Sequence, residues 1–416
     1  MISIAQASDI HYCEKHLQWV DKAMTAFVEG AIDDPEIECA ILSGDTFDHQ
    51  VHSHEPAFHA ALAQIARLAD HMPVLVLQGT FSHDRPGSLD PLKYLDRTHP
   101  IFVADRICQV LLSGGQWFAS KGFRLEQEEH DKAIHDDGGQ LLVSCLPSIH
   151  KGQVKAIVGD DGDPAALIEQ VCEGWSSVNL EARAAGIPTV LTTHGTVNGS
   201  VTESRYAMIS PDHEFTPGAL FSAEASAVMV GHIHAHNAWE HQGRRIAYPG
   251  SITRLIHGHH DPTYWLRWSI GPAASEFECV ETPSRSLIDI TFDGPPDMEQ
   301  LREIAPQCAG AYVRVRWSID EEHRDSVDHA EIREALAAAE EVKLEGRINP
   351  VQRTRAEGLS RADSLADKLT MWGEVTETET GPLHERLQDL QSMEPEELVE
   401  KYSTPTQEQE ENDAAA

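Results

Sequence analysis

Short apolar runs recur along the chain, and five of them end in a cluster of polar residues. Ile2–Ala7 runs into Ser8-Asp9-Ile10-His11, and Ala40–Leu42 into Ser43-Gly44-Asp45-Thr46-Phe47-Asp48. Val74–Leu77 precedes Gly79-Thr80-Phe81-Ser82-His83-Asp84, Thr189–Leu191 precedes Thr192-Thr193-His194-Gly195, and Val228–Val230 precedes Gly231-His232-Ile233-His234. Such runs read as strands. Between them the spacing becomes helical: Leu17, Val20, Met24, Phe27, Val28 and Ala31 form one stripe, and Phe58, Leu62, Ile65 and Leu68 another. Both stripes belong to a core. From Ile101 to Ser148 the pattern breaks into short strands at Gly114-Gly115 and Gly138-Gly139, a longer helix follows Asp163-Pro164, and strands dominate from Ala227 to Val280. This order predicts an α/β fold, a β-sandwich flanked by helices that cover both sheets.

Near Pro283 the pattern restarts. Strand-like Leu287–Ile290, helix-like Met298–Ile304, strand-like Ala311–Trp317, helix-like Ala330–Ala339 and strand-like Val342–Ile348 predict a small α+β domain. The expected boundaries are 1–282, 283–355, a helical segment 356–403 and a disordered acidic tail 404–416. In the helical segment, Ser360-Arg361-Ala362-Asp363 resembles a capping box opening a helix with Leu365, Leu369 and Trp372 on one stripe. Leu383, Leu387 and Leu390 mark a second helix and Leu398 a third. These stripes either fold back on the chain or dock a partner.

The polar clusters add chemistry. Asp9 and His11, and again His232 and His234, are spaced so that both side chains leave an extended backbone on one side. Each cluster lies just past the carboxyl end of a strand, where open α/β sheets place ligands. Histidine nitrogen beside carboxylate oxygen suits manganese, zinc or iron, and a pair of such ions can clamp a phosphoryl group. In a chain with 24 histidines a lone His-x-His is equally a half-buried strand end. Convergence of five segments on one site makes the difference.

The order Asp-x-His, Gly-Asp-x-x-Asp, Gly…His-Asp, His-Gly and Gly-His-x-His resembles the calcineurin-like metallophosphoesterases. Tyr248-Pro249-Gly250-Ser251 and Gly310–Trp317 resemble the SbcD-type DNA-repair exonuclease branch, and the likeness spans roughly residues 1–375. It implies a four-layer sandwich holding two divalent ions, with manganese preferred. Asp45 would bridge them, Asp9, His11 and His234 would complete one shell, and His194 and His232 would serve the other. His83 would stay off the metals and stabilise or protonate the departing oxygen, Asp48 would orient the site, and activated water would attack phosphorus without a side-chain nucleophile. One ligand departs from the family's Gly-Asn-His-Asp: counting back from His83 puts Ser82 in place of the Asn, and counting forward from Gly79 gives Thr80. Ser82 is favoured, because spacing to the histidine fixes geometry better.

The resemblance also implies partners: DNA ends, an SbcC-type SMC-like ATPase on the C-terminal helices, and a second copy in a homodimer. Arg314 and Arg316 share one face of their strand, either as phosphate contacts or as a solvated sheet face. A phosphodiesterase or phosphatase acting on a small molecule or protein could use the same site. So could a DNA-end-binding scaffold whose chemistry has faded.

Composition complicates the DNA reading. The chain has 68 acidic and 32 basic residues, a net charge of −36, whereas polyanion binders usually carry a basic footprint. Thirteen acidic and two basic residues between Glu374 and Ala416 place a net eleven of those charges in the tail, and two divalent ions would invert the local sign at the site. Seven scattered cysteines without Cys-x-x-Cys spacing read as reduced thiols. No charged-then-apolar leader opens the sequence and no apolar run approaches about 18 residues, so a cytoplasmic protein of a bacterial or phage-infected cell is expected, with no membrane contact. His49, His52, His54, His59, His257, His259 and His260 are read as loop residues, and His236 has no assigned part.

Overall fold

A computed structural model describes residues 1–126, 138–148, 164–202, 214–259, 261–350 and 362–403. Its strands are β1 (Ile2–Ala7), β2 (Ile37–Leu42), β3 (Val74–Leu77), β4 (Ile101–Ala104), β5 (Cys108–Ser113), β6 (Gln116–Ala119), β7 (Gly139–Leu146), β8 (Thr189–His194) and β9 (Thr196–Val197). They continue with β10 (Glu214–Phe215), β11 (Ala227–Gly231), β12 (Asn237–His241), β13 (Arg244–Tyr248), β14 (Tyr264–Ile270), β15 (Ser275–Glu281), β16 (Leu287–Asp293), β17 (Tyr312–Asp320) and β18 (Glu341–Asn349). One six-stranded sheet has the order β15-β14-β1-β2-β3-β4, and one seven-stranded sheet the order β12-β13-β11-β8-β7-β5-β6. β1 to β4 pair in parallel, as do β7, β8, β11 and β13, while the outer strands are antiparallel.

Side-chain alternation explains why these parallel strands are apolar throughout. Ile4, Ile41, Leu75 and Leu77 enter a core shared with Val110, Leu112, Leu141, Val143, Val190 and Met229 of the seven-stranded sheet. Their neighbours Ala5, Ala40, Leu42, Val74 and Val76 turn the other way, under helices α1 (Leu17–Asp33) and α2 (Pro56–Ala69). Leu191, Val228, Val230 and Ile246 face α3 (Pro164–Ala184) and α4 (Pro217–Ser222) through Cys172, Trp175 and Leu220. Helix, sheet, sheet and helix thus form four layers. Both faces of each sheet are covered, so a continuous apolar run is the pattern that fits. Full burial of each large apolar side chain is worth about 1.5–3 kcal/mol.

The described chain divides into two compact units. Met1–Phe292, Pro296–Arg316 and His329–Glu345 make the first, which includes the sandwich, α5 (Met298–Ile304) and α6 (His329–Ala335). Asp293–Pro295, Trp317–Asp328 and Gly346–Ala416 make the second, with α7 (Leu365–Thr376), α8 (Gly381–Ser392) and α9 (Pro395–Ser403). Ser364 caps α7, its hydroxyl accepting from Asp367 N at 3.1 Å, so the cap lies later than the expected Ser360, which falls outside the described residues. The tail from Thr404 also falls outside them. Among the described residues no helix is long and apolar enough to cross a membrane.

Candidate metal centre

Four loops meet at the carboxyl ends of β1, β2, β8 and β11, joined by the loop after β3. Asp9 N donates to Gly44 O at 3.1 Å, and Ile10 N and His11 N both reach Asp45 O, so the first two loops are laced together. Asp84 joins the third: its carboxylate accepts from Thr46 N, Phe47 N and Gly79 N at 3.1, 3.2 and 3.0 Å. This lacing forces unusual backbone. Asp9, His11, Asp45 and His232 have φ of 50, 56, 52 and 108°, a region that L-residues enter at a cost. Among the described residues only seven non-glycine residues do so, and four are candidate ligands. Clustered strain of this kind marks a functional site. At Gly79 the backbone comes so close to the Asp45 carboxylate that a Cβ would overlap it.

The side chains fall into three overlapping groups: Asp9, His11 and His234; Asp45, His194 and His232; and His11, Asp45 and His83. Within each group the donor atoms lie within 4.8 Å of one another. In the first, His11 Nε2 stands 3.0 Å from His234 Nε2, and each is 3.9 Å from Asp9 Oδ1. Neighbouring donors at about 2.1 Å from one cation lie about 3 Å apart, so this spacing fits a shared ion. Ser8 Oγ donates to Asp9 Oδ2 at 2.6 Å, and His232 N reaches both oxygens of Asp9 at 3.0 and 2.9 Å. In the second group His194 Nδ1 donates to Ser43 O at 2.7 Å, which directs Nε2 at Asp45 Oδ2, 3.1 Å away. Carbonyl-fixed tautomers of this kind are typical of metal-binding histidines. His83 Nδ1 meets the Asp48 carbonyl, and its Nε2 is 4.0 Å from Asp45 Oδ2.

Burial and mutual attraction set the charges. Burial pushes the Asp45 carboxyl up, but His194, His11 and His83 outweigh it and hold the group well below the usual range. Burial likewise lowers His194, yet Asp45 and Asp9 win, and its imidazole is pushed up to about 9. Asp9 is raised, chiefly by burial. His11 is held well below its ordinary value by burial and by His234. Burial, then the nearby Asp45, lifts Asp84 to about 6. In the absence of metal the stable pair is protonated His194 with ionised Asp45, and a cation binding there must displace that proton.

Of the residues expected at the site, Asp9, His11, Asp45, His83, His194, His232 and His234 are brought together. Asp48 stands at its rim, Oδ1 3.6 Å from His11 Nδ1, with Oδ2 3.0 Å from His49. Ser82 requires correction: it is exposed, while Thr80 takes the inner position, its N and Oγ1 both donating to Asp45 Oδ1 at 2.7 and 2.8 Å. The loop turns back at Thr80, whose carbonyl accepts from His83 N and Asp84 N, and this swings Ser82 outward. Ser8, Ser43 and Asp84 were not singled out by the sequence; each stood beside a candidate ligand or inside a motif.

Arg314 and Arg316 lie on the small sheet of β16, β17 and β18, and both meet carboxylates. Arg314 is buried and forks onto Asp289 at 2.8 and 2.5 Å, and Arg316 Nε lies 3.1 Å from Glu345. His52 and His54 are exposed loop residues, whereas His59, expected in a loop, stands on the exposed side of α2; His259 is buried and His257 packs against Tyr312, so these two are structural rather than plain loop residues. His236 donates to Tyr248 O at 2.7 Å, and His260 lies outside the described residues.

Fold and site together define a four-layer α/β sandwich with a buried His/Asp centre suited to divalent metal. No family model and no curated protein matches the chain. Among solved structures it is similar to GAP50, the anchor in the inner membrane complex of Plasmodium, at 10% identity and a TM-score of 0.37, over 68% of this chain and 89% of that one. It is also similar to a conserved uncharacterized protein of Streptococcus pneumoniae TIGR4 described as a predicted phosphoesterase, at 9% identity and a TM-score of 0.24, over 67% and 98%. At these scores neither likeness carries an argument about activity.

Proposed function

We propose that the chain is a metal-dependent phosphoester hydrolase, and that its substrate is the phosphodiester backbone of DNA. One observation carries the hydrolase reading: two three-donor groups suited to cations, Asp9/His11/His234 and Asp45/His194/His232, are linked by a third that shares His11 with one and Asp45 with the other, so two cation positions would lie in one continuous, largely buried cluster. Bound there, two divalent ions such as Mn2+ would supply neutralisation of phosphoryl charge and acidification of a water. The chain's own residues do the rest. Ser8 and His232 N hold Asp9, Ser43 O fixes the tautomer of His194, and Asp48 steers His11 and His83. His83, partly exposed and 4.0 Å from Asp45, is placed to give a proton or a hydrogen bond to a departing oxygen.

The DNA reading rests on the motif order and on the SbcD-like segments Tyr248–Ser251 and Gly310–Trp317. With Arg314 and Arg316 already engaged by carboxylates, the substrate backbone would be held mainly at the metal centre. An SbcC-type ATPase on α7 to α9 and a homodimer complete this reading. The test is cleavage of linear double-stranded DNA beside bis(p-nitrophenyl) phosphate, with Mn2+ and with chelator. Metal-dependent cleavage of both is expected. Cleavage of the simple ester alone would assign the site to a small-molecule phosphodiesterase, and cleavage of neither would refute the hydrolase.

A further inference from the structure

We propose that Cys108 and Cys145 form a modification site, a thiol pair that a hydroperoxide converts into one intramolecular disulfide in the folded chain; the inference is independent of what the metal centre hydrolyses. All seven cysteines are free, and of the seven these two alone stand opposite each other across a strand pair. β5 and β7 run antiparallel, with Cys108 opposite Cys145, Val110 opposite Val143 and Leu112 opposite Leu141, and all six side chains enter the same core. Directly opposite residues of such a pair have Cα atoms about 4.5–5.5 Å apart and side chains on one face. A disulfide takes Cα separations of about 4.4–6.8 Å, so the backbone already has the spacing of the bond.

The two sulfurs also differ in character. Hydrogen bonding from Cys145 draws the Cys108 thiol below its ordinary value against the effect of burial, and Arg106 adds to it. Burial, and then Cys108, push the Cys145 thiol well above its own. Val143 O lies 4.0 Å from Cys145 Sγ, a long contact that does not tie the S–H elsewhere. Cys108 is therefore the attacking thiol and Cys145 the resolving one. Cys108 is also the first residue of β5, two positions past the exposed Arg106, so fraying of one strand end admits a small oxidant to a sulfur that is otherwise covered. Cys108 sulfur attacks one peroxide oxygen, the O–O bond breaks, the other oxygen leaves as an alcohol or water with the thiol's proton, and Cys108 becomes a sulfenic acid. Cys145 sulfur then attacks Cys108 sulfur, the S–O bond breaks, and the hydroxyl leaves as water with the Cys145 proton. Two thiols give up two electrons and the peroxide takes them. Stopping at the disulfide keeps the pair short of irreversible oxidation and staples β5 to β7.

The test exposes the full folded chain to hydrogen peroxide in the presence of chelator, which removes metal-driven oxidation. Alkylation with N-ethylmaleimide in denaturant and digestion without reductant then precede peptide mass spectrometry. One linked peptide pair joining Cys108 to Cys145, lighter by two hydrogens and released by dithiothreitol, is expected. Recovery of both cysteines alkylated, a link from either to another cysteine, or a link that forms only once denaturant is present would overturn the proposal. Cys145→Ser should arrest Cys108 as a sulfenic acid that dimedone captures, whereas Cys108→Ser should leave Cys145 unmodified. Equal capture at Cys145 in the second variant would overturn the assignment of Cys108 as the attacking thiol. Should either variant not fold, the parent alone decides: oxidation should raise its thermal midpoint by about 5 °C or more, and a linked chain with an unchanged or lowered midpoint would overturn a bond made in native geometry.

Discussion

The loops around Asp45 and the three C-terminal helices handle polarity in opposite ways. In the loops, Asp9, His11, Asp45 and His194 are almost wholly buried, and their neighbours are hydroxyls, amides and one another. In the helices, Leu365, Leu390 and Val399 are 60, 65 and 63% exposed. Buried charge persists only where other polar groups compensate it, and clustered exposed apolar surface marks a contact region. On the function proposed above, the two places would therefore carry opposite signatures. Substitution in the first should change chemistry, and substitution in the second should change association.

The largest effect is expected at Asp45, the carboxylate shared by two ligand groups. Asp45→Ala should remove several kcal/mol of charge stabilisation and lower hydrolysis about 10⁴-fold, with the second Mn2+ lost in titration. Parental activity in this variant would erase the distinction between the two regions. His83→Ala should lower kcat about 10²–10⁴-fold while both ions still bind, which sharpens the assignment of His83 to proton transfer.

The pH response comes next. With its folded value near 9 against an ordinary 6.5, protonated His194 stabilises the metal-free chain fully below about 6.5, and that contribution is lost as pH rises through 9. Metal affinity runs the other way, strengthening by up to about tenfold per unit over the same window as the competing proton leaves. Denaturation and Mn2+ titration at several pH values should give slopes of opposite sign; parallel slopes would refute the His194–Asp45 pairing. A smaller change is expected for Asp48→Asn, which keeps the shape beside His11 but not the charge and should weaken Mn2+ about 10–100-fold. The smallest is Leu390→Asp, at an exposed position: stability should move by less than about 0.5 kcal/mol, while pull-down of an SbcC-type ATPase should fail. A large loss of stability would instead make Leu390 part of internal packing.

The sandwich and most of the centre were legible because one device repeats. A strand covered on both faces is apolar throughout, and its first polar residues are those that leave the sheet. The exposure of Ser82 was not legible, because counting along a loop assumes that its residues face the same way, whereas the turn closed on Thr80 O swings Ser82 outward. Spacing from Gly79 was the better guide, for a reason visible only in three dimensions: Gly79 is in contact with Asp45. The pairing of Arg314 with Asp289 was hidden for a related cause. These residues meet through the register of two strands, and no local pattern in either strand names its neighbour. Likewise the cap of α7 proved to be Ser364, since Ser-x-x-Asp recurs there and the nearer match to Leu365 forms the bond.

The left-handed backbone at Asp9, His11, Asp45 and His232 has a consequence for how the protein opens. At about 1–3 kcal/mol each, four such residues together approach the net stability of a typical domain, about 5–15 kcal/mol. Segments under that tension sit at the low end of local unfolding free energies, even though strands beside them are among the best packed in the chain. In hydrogen–deuterium exchange without metal, the amides of these loops should accordingly become labelled well before those of β1, β2 and β11. Added Mn2+ should slow them selectively, because a cation held by residues from separate loops ties their openings into one event. Chelation would then act as a solvent-side release, softening a rim of the molecule while its interior stays rigid, and a protease that nicks the chain only in chelator should cut there first.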